Sequence, residues 1–287
     1  MGATFVVTLR EAFEAALLLG IVYTYLDKTG ARGDYRYVTV GGLLGAVASV
    51  VLGIALTLLS GPLVDIGPDL IAAAVILVAV VVLTWHGWWM QRHARAIKGE
   101  VQRRIDEAGG TSRLWVVGMI AFTGVFREGA ETVLFLWGLL AQATSVAGWG
   151  GLLGAVLGVG AAAALGWVIF RGGRRVSLPA FFGVTSVLLW LIAAGLLSTG
   201  VGKLQGLGLL PASGALWDTA FLLDDQGPIG GLLTGLVGYR ARPSALEVGA
   251  YVVYLLVAGL LLFGRPLSSS RARRRQRGMT MRSNASA

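Results

Sequence analysis

The chain has 287 residues, of which 55% are apolar and only 14% charged, with a mean hydropathy of +0.73. Soluble domains carry about a quarter charged residues, so this balance excludes a soluble enzyme, a disordered chain and a disulfide scaffold; cysteine is absent altogether. The net charge of +9 does not indicate a nucleic-acid partner, because the basic residues gather in alternate loops between apolar spans.

Seven spans are predicted, at about 3–26, 37–59, 68–90, 114–142, 149–170, 178–201 and 246–264. Each is near the roughly 20 residues that cross a hydrocarbon core of about 30 Å. The first is interrupted by Arg10, Glu11 and Glu14 and lacks a basic leader, so it does not read as a cleavable signal peptide. The first, third and fifth loops and the tail hold 19 Lys and Arg residues, whereas the other loops hold three, Lys203, Arg240 and Arg242. Such asymmetry places the N-terminus outside and the C-terminus in the cytoplasm. The expected fold is therefore all-α, a multi-pass protein of the cytoplasmic membrane with one domain over 1–264. Residues 91–113 are expected to be a cytoplasmic connector, helical up to Gly109-Gly110. The basic tail, 265–287, is expected to be disordered and to act as a topology anchor that touches anionic lipid.

Two segments repeat at an offset of 117 residues: Phe5-Val-Val-Thr-Leu-Arg-Glu-Ala-Phe-Glu14 and Phe122-Thr-Gly-Val-Phe-Arg-Glu-Gly-Ala-Glu131. Each opens a set of three spans, about 3–90 and 114–201, with the seventh helix, 246–264, added. Three is odd, so the second set crosses in the opposite sense, giving a 3 + 3 inverted repeat of the kind that builds a transport site between halves. Arg10 lies about 10 Å in from outside and Arg127 about 20 Å in from inside, at about 1.5 Å per residue. In a core of about 30 Å the two motifs reach one depth from opposite directions. Small residues also recur at four-residue spacing in the second helix of each half. One row is Gly41, Gly45, Ser49 and Gly53, the other Gly150, Gly154, Gly158, Ala162 and Gly166. Tight static packing is the expected use of these rows, with a sliding interface as the alternative.

Arg10, Glu11, Glu14, Arg127, Glu128 and Glu131 are the only charges well inside the predicted spans. Each costs roughly 2.5–3.5 kcal/mol at a helix centre. Arg10 with Glu14, and Arg127 with Glu131, stand at i, i+4 and can pair. A staple needs one Glu per Arg, yet a second Glu accompanies each pair. Four carboxylates against two guanidinium groups leave a formal −2, a deficit that a multivalent cation removes. Oxygen donors favour hard ions, which leaves Fe³⁺, Mn²⁺, Mg²⁺ and Ca²⁺ open.

At these residues the sequence resembles the oxidase-dependent iron permeases, the family of the fungal high-affinity iron permease and the bacterial EfeU-type permease. The family hallmark is a pair of R-E-G-x-E motifs in the first and fourth of seven helices. Arg127-Glu-Gly-Ala-Glu131 matches it fully, and Arg10-Glu-Ala-Phe-Glu14 carries Ala12 in place of glycine. Glu14-Ala-Ala-Leu, Trp85-His-Gly-Trp-Trp-Met90, Leu216-Trp-Asp-Thr219, Gly235-Leu-Val-Gly-Tyr239, Pro243-Ser244, Glu247, Tyr251 and Tyr254 also look familial. The resemblance implies inward transport of iron as Fe³⁺, with Glu11, Glu14, Glu128 and Glu131 as metal ligands and Arg10 and Arg127 balancing charge. It also implies a partner that oxidises Fe²⁺: a cupredoxin-like lipoprotein, a haem peroxidase or a multicopper oxidase. No permanently bound cofactor is expected, in keeping with two His, five Met and no Cys.

Three further residues carry two readings each. His86, placed near the inner end of the third span, is expected to pack among Trp85, Trp88 and Trp89, with an exit ligand as the alternative. Asp218 is either a loop cap or the point that receives the ion from a partner. Glu247 opens the seventh helix, where an acid complements the helix dipole; a helix cap is the expected role, with a place in a cation-attracting outer vestibule as the alternative. The rival functions are a permease for Mn²⁺ or Mg²⁺, a proton-coupled cation transporter, an intramembrane hydrolase using paired carboxylates, and a non-transporting scaffold. Neither a nucleophile motif nor a His-metal motif supports the hydrolase.

Overall fold

In a computed structural model, described over residues 1–66, 68–107, 112–140, 148–172, 178–225 and 227–263, the protein is all-helical. The basic tail at 265–287 and Gly109-Gly110 lie outside the described residues. The helices are α1 (Gly2–Lys28), α2 (Tyr35–Ile66), α3 (Pro68–Glu107), α4 (Ser112–Leu140), α5 (Gly148–Gly172), α6 (Leu178–Gly206), α7 (Pro228–Val237) and α8 (Ala245–Phe263). Among the described residues the only β feature is a single bridge between Ala215 and Ser244. Among the described residues, four stretches are long and apolar enough to cross a membrane, Arg32–Leu58, Asp69–Trp89, Trp149–Ile169 and Ala180–Gly206. On α2, α5 and α8 whole faces of Leu, Val and Ile stand exposed, among them Leu43, Val47, Val50, Leu153, Val156, Val253 and Leu256. Patches of that extent are not tolerated in water, so the chain is an integral membrane protein.

The connector at 91–113 is helical as far as Glu107, as expected, and is one element with the third span: α3 continues unbroken for 40 residues, about 60 Å at about 1.5 Å per residue. Its end returns to the bundle, where Ile105 packs with Val22, Leu26, Val38, Val117 and Ala121. The short α7 was not expected, since a ten-residue segment with Gly230, Gly231 and Gly235 has poor helix propensity. Tertiary contact explains it: Gly235 lies against Ala3, and Leu236 packs over Gly2. Its end is closed by Gly238 at φ 73°, in the left-handed region, whose N–H donates to the Thr234 carbonyl at 3.1 Å. Gly238 also meets Gly195 of α6 so closely that a Cβ on either would sit 2.5 Å from the other's Cα. At the start of α8 the Ser244 N–H donates to Glu247 Oε2 at 2.7 Å, and the Glu247 N–H donates to Ser244 Oγ at 3.2 Å. This is a capping box, in line with the cap reading of Glu247.

Two apolar clusters organise the bundle. One contains Ala3, Val6 and Val7 of α1, Ile76, Val80 and Leu83 of α3, Phe135 of α4 and Leu189 to Leu196 of α6. The other holds the far ends of α1 and α3 with the beginnings of α2 and α4. Thus α1 and α3 run from the first cluster to the second, and α4 runs from the second to the first.

The most extensive helix contacts are α2 with α4, α1 with α5, and α3 with α6. Exchanging α1 with α4, α2 with α5 and α3 with α6 leaves this set unchanged, and the small-residue rows repeat it at atomic detail. A Cβ on Gly45 would lie 2.7 Å from the Phe122 carbonyl oxygen and 3.0 Å from the Phe126 nitrogen. A Cβ on Gly158 would lie 2.8 Å from both the Phe5 carbonyl oxygen and the Leu9 nitrogen. Those contact residues differ by the same 117 positions as the motifs. Gly41 meets Gly118 and Ala121, as Gly154 meets Met1 and Thr4; Gly53 meets Val133, as Gly166 meets Ala16.

Overpacking of this kind costs about 1–3 kcal/mol. Gly45→Ala and Gly158→Ala are therefore each expected to lower the thermal unfolding temperature in detergent. Gly160→Ala, where a Cβ meets nothing within 4 Å, is expected to leave it unchanged. Equal losses at all three positions would show that helix contact is not the cause.

Candidate metal site

The charged motifs fall where α1 and α4 pass between the two apolar clusters. On α1, Arg10 is 1% exposed and divides its guanidinium between two acids. Its Nη1 stands 3.2 Å from Glu11 Oε1 and its Nη2 3.0 Å from Glu14 Oε1. Both carboxylates are buried. On α4, Arg127 Nε donates to Glu128 Oε1 at 2.9 Å, and Nη2 contacts the same oxygen.

The expected i, i+4 pair is present in the second half but is the longer of two contacts. Glu131 Oε1 lies 3.9 Å from Arg127 Nε, so Glu128 takes the main contact. Arg127 also differs from Arg10 in being 44% exposed at its side chain, with its guanidinium carbon 5.3 Å from the centre of the Trp89 ring.

The sequence reading of His86 does not hold. The side chain is 5% exposed and sits among the acids of both motifs, instead of packing in an aromatic belt. Its Nε2 is 3.5 Å from Glu14 Oε2 and 3.8 Å from Glu11 Oε2, and its Nδ1 contacts Glu131 Oε2. With α3 running to Glu107, position 86 falls mid-helix, where a lone buried imidazole needs a polar partner.

One ligand atom each from Glu11, Glu14, His86 and Glu128 can be chosen so that all lie within 4.8 Å of one another. Glu131 joins this group through its contact with His86. Glu11 Oε2, Glu14 Oε2, Glu128 Oε2 and His86 Nε2 are buried and accept or donate no hydrogen bond. Buried polar atoms are rarely left in that state, and four in one volume constitute a set of donors for a cation. Six formal charges sum to −2 there, as the sequence predicts.

Asp218 is held elsewhere, in the exposed loop before α7. Its Oδ2 lies 2.9 Å from Arg242 Nε, and its Oδ1 accepts the Ala220 N–H at 3.0 Å. The Arg242 guanidinium, then the Ala220 N–H, keep this carboxyl below the usual carboxylate range. This is the loop-cap geometry, and Asp218 is not among the converging ligands.

The chain matches the iron permease FTR1 family over residues 1–276. The ferrous iron permease EfeU of Shigella sonnei is 33% identical over 269 residues, covering 93% of this chain and 96% of the relative. The putative inactive ferrous iron permease EfeU of Escherichia coli strain K12 is similar to the same extent, 33% over 269 residues. The ferrous iron permease EfeU of Yersinia pestis is 31% identical over 274 residues, or 94% of this chain and 96% of the relative. No solved structure matches. With the match extending through every described helix and both charged motifs, the chain belongs to the iron permease FTR1 family.

Proposed function

We propose that this protein carries iron inward across the cytoplasmic membrane through a site built from Glu11, Glu14, Glu128 and Glu131. The observation that carries this reading is the convergence of buried, unsatisfied carboxylate oxygens from α1 and α4 around one volume. A cation there replaces mutual repulsion between carboxylates with attraction. The proposed topology has seven spans, α1 to α6 and α8, with the N-terminus outside and the tail in the cytoplasm. It is supported by the lysine and arginine asymmetry of the loops and by α4 passing the two apolar clusters in the reverse order of α1. An inverted repeat of this form supplies two half-sites that meet at mid-membrane.

The ion is proposed to enter as Fe³⁺, made from Fe²⁺ by a separate oxidising partner outside: a cupredoxin-like lipoprotein, a haem peroxidase or a multicopper oxidase. Four carboxylates suit a hard trivalent ion, and a chain with no Cys and five Met has few residues with which to hold a redox centre of its own. Relatives named as ferrous iron permeases fit this scheme when Fe²⁺ is the form supplied to the partner.

Glu11→Ala, Glu14→Ala, Glu128→Ala and Glu131→Ala are each expected to abolish iron uptake into vesicles while the folded protein persists in the membrane. Near-normal uptake by any two would remove those groups from the site. Vesicles given Fe²⁺, Fe³⁺ or Mn²⁺, with and without an oxidising partner, separate the readings. Uptake of Fe²⁺ only when the partner is present supports the Fe³⁺ route, and efficient Mn²⁺ uptake supports a general divalent permease. Arg10 provides a second test, since its two terminal nitrogens serve different acids and a single ammonium lacks that fork. Arg10→Lys is therefore expected to lose nearly as much uptake as Arg10→Ala, whereas Arg127→Lys keeps a larger share. Full activity in Arg10→Lys would reduce the guanidinium to simple charge balance.

A further inference from the structure

The repeated motifs account for the carboxylates of the site but not for the imidazole among them. His86 belongs to α3, outside either motif, and no counterpart mirrors it: α6, the corresponding helix of the second half, carries Lys203 as its only ionisable residue. The imidazole is held on both sides. Its Nδ1 contacts Glu131 Oε2 from α4, while its Nε2 faces Glu11 and Glu14 from α1 without a hydrogen bond. Behind it, Gly87 admits the Trp190 indole so closely that a Cβ at 87 would lie 2.9 Å from Trp190 Nε1. That contact packs α6 against α3 beside the imidazole.

An imidazole whose one nitrogen donates to a carboxylate presents the lone pair of the other nitrogen, and this arrangement recurs where histidine binds metals. We infer that His86 Nε2 is a direct ligand of the transported ion, aimed by Glu131, and that this single nitrogen sets the site's selectivity for transition metals against Mg²⁺ and Ca²⁺. The inference rests on the proposed glutamate site and names the ion class it accepts. Carboxylate oxygens also accept Mg²⁺, Ca²⁺ and Mn²⁺, whereas imidazole is a good donor to iron and a poor one to the alkaline-earth ions. Glu131 then acts in two capacities, as part of the acidic volume and as the group that fixes the ring's tautomer and orientation.

The chain contains only two histidines, His86 and His93, which makes a direct test clean. The detergent-purified full-length protein is loaded with iron alone and its iron-edge X-ray absorption recorded. One imidazole's outer-shell scattering is expected, retained in His93→Ala and lost in His86→Gln. In binding competition, excess Mg²⁺ or Ca²⁺ is expected to leave iron on the unaltered protein and to displace it from His86→Gln. Replacing Glu131 by Leu is expected to weaken iron binding about 10–100-fold, as loss of an orienting carboxylate does elsewhere.

Bound iron without imidazole scattering in the unaltered protein overturns the inference, a result that needs no variant to fold. Unchanged selectivity in His86→Gln overturns it as well. If Glu11→Gln abolishes iron binding while His86→Gln does not alter it, only the histidine's role falls. If Glu11→Gln binds iron normally, the glutamate site itself falls.

Discussion

Charge buried in an apolar medium must find its partners inside the molecule, and that requirement shapes this bundle more than any other. Arg10, Glu11, Glu14, Glu128 and His86 are nearly inaccessible, and in lipid an isolated charge at such a position costs roughly 2.5–3.5 kcal/mol. No single helix can neutralise its own set. The guanidinium of Arg10 engages two acids, but Glu11 Oε2 and Glu14 Oε2 still lack hydrogen bonds, and so does Glu128 Oε2 on the opposing helix. The imidazole of α3 stands between them. The three helices are thus tied at one level by polar groups, with apolar clusters above and below that hold the level fixed.

Close backbone approach makes this geometry possible. The glycine rows of α2 and α5 let those helices lie against α4 and α1 with carbonyl oxygens inside ordinary Cβ distance. The two halves are not identical in how they reach it. Gly129, the glycine of the second motif, would place a Cβ 2.1 Å from Ser49 Oγ. In the first half the matching positions are Ala12 and Ala162, by the offsets that relate the other contacts. A methyl group gained on the motif helix is matched by a hydroxyl lost on its neighbour, so the departure of Ala12 from the family's glycine is accommodated by local packing.

Much of this was legible in the sequence because the signals were periodic or charged. The doubled Arg-Glu-x-x-Glu pattern located the acids, and the four-residue glycine spacing located the faces that touch. Glu247, three residues after Ser244, spelled a capping box. What could not be read depended on contacts distant in sequence. His86 looked interfacial because hydropathy falls after Met90, although the helix itself does not end there. The segment at Pro228–Val237 looks like a glycine-rich loop until Ala3 and Gly195 supply the surfaces that order it. Arg127 lies closer to the adjacent Glu128 than to the better-spaced Glu131, whose other oxygen engages His86.

The crosswise pairing of helices also has a bearing on how the chain is made. α1 leaves the ribosome first, yet the surface it docks on, around Gly154 and Gly158 of α5, is translated some 140 residues later, and the acids facing it on α4 come only shortly before. Until α3 brings His86, Arg10, Glu11 and Glu14 of the earliest segment have only each other as polar partners. Contacts so far apart along the chain are slow to close, and incompletely assembled intermediates of large proteins are prone to mispairing. The Arg10 fork is therefore available from the start: it engages both acids of its own helix and reduces their combined charge to −1 before the second half is made.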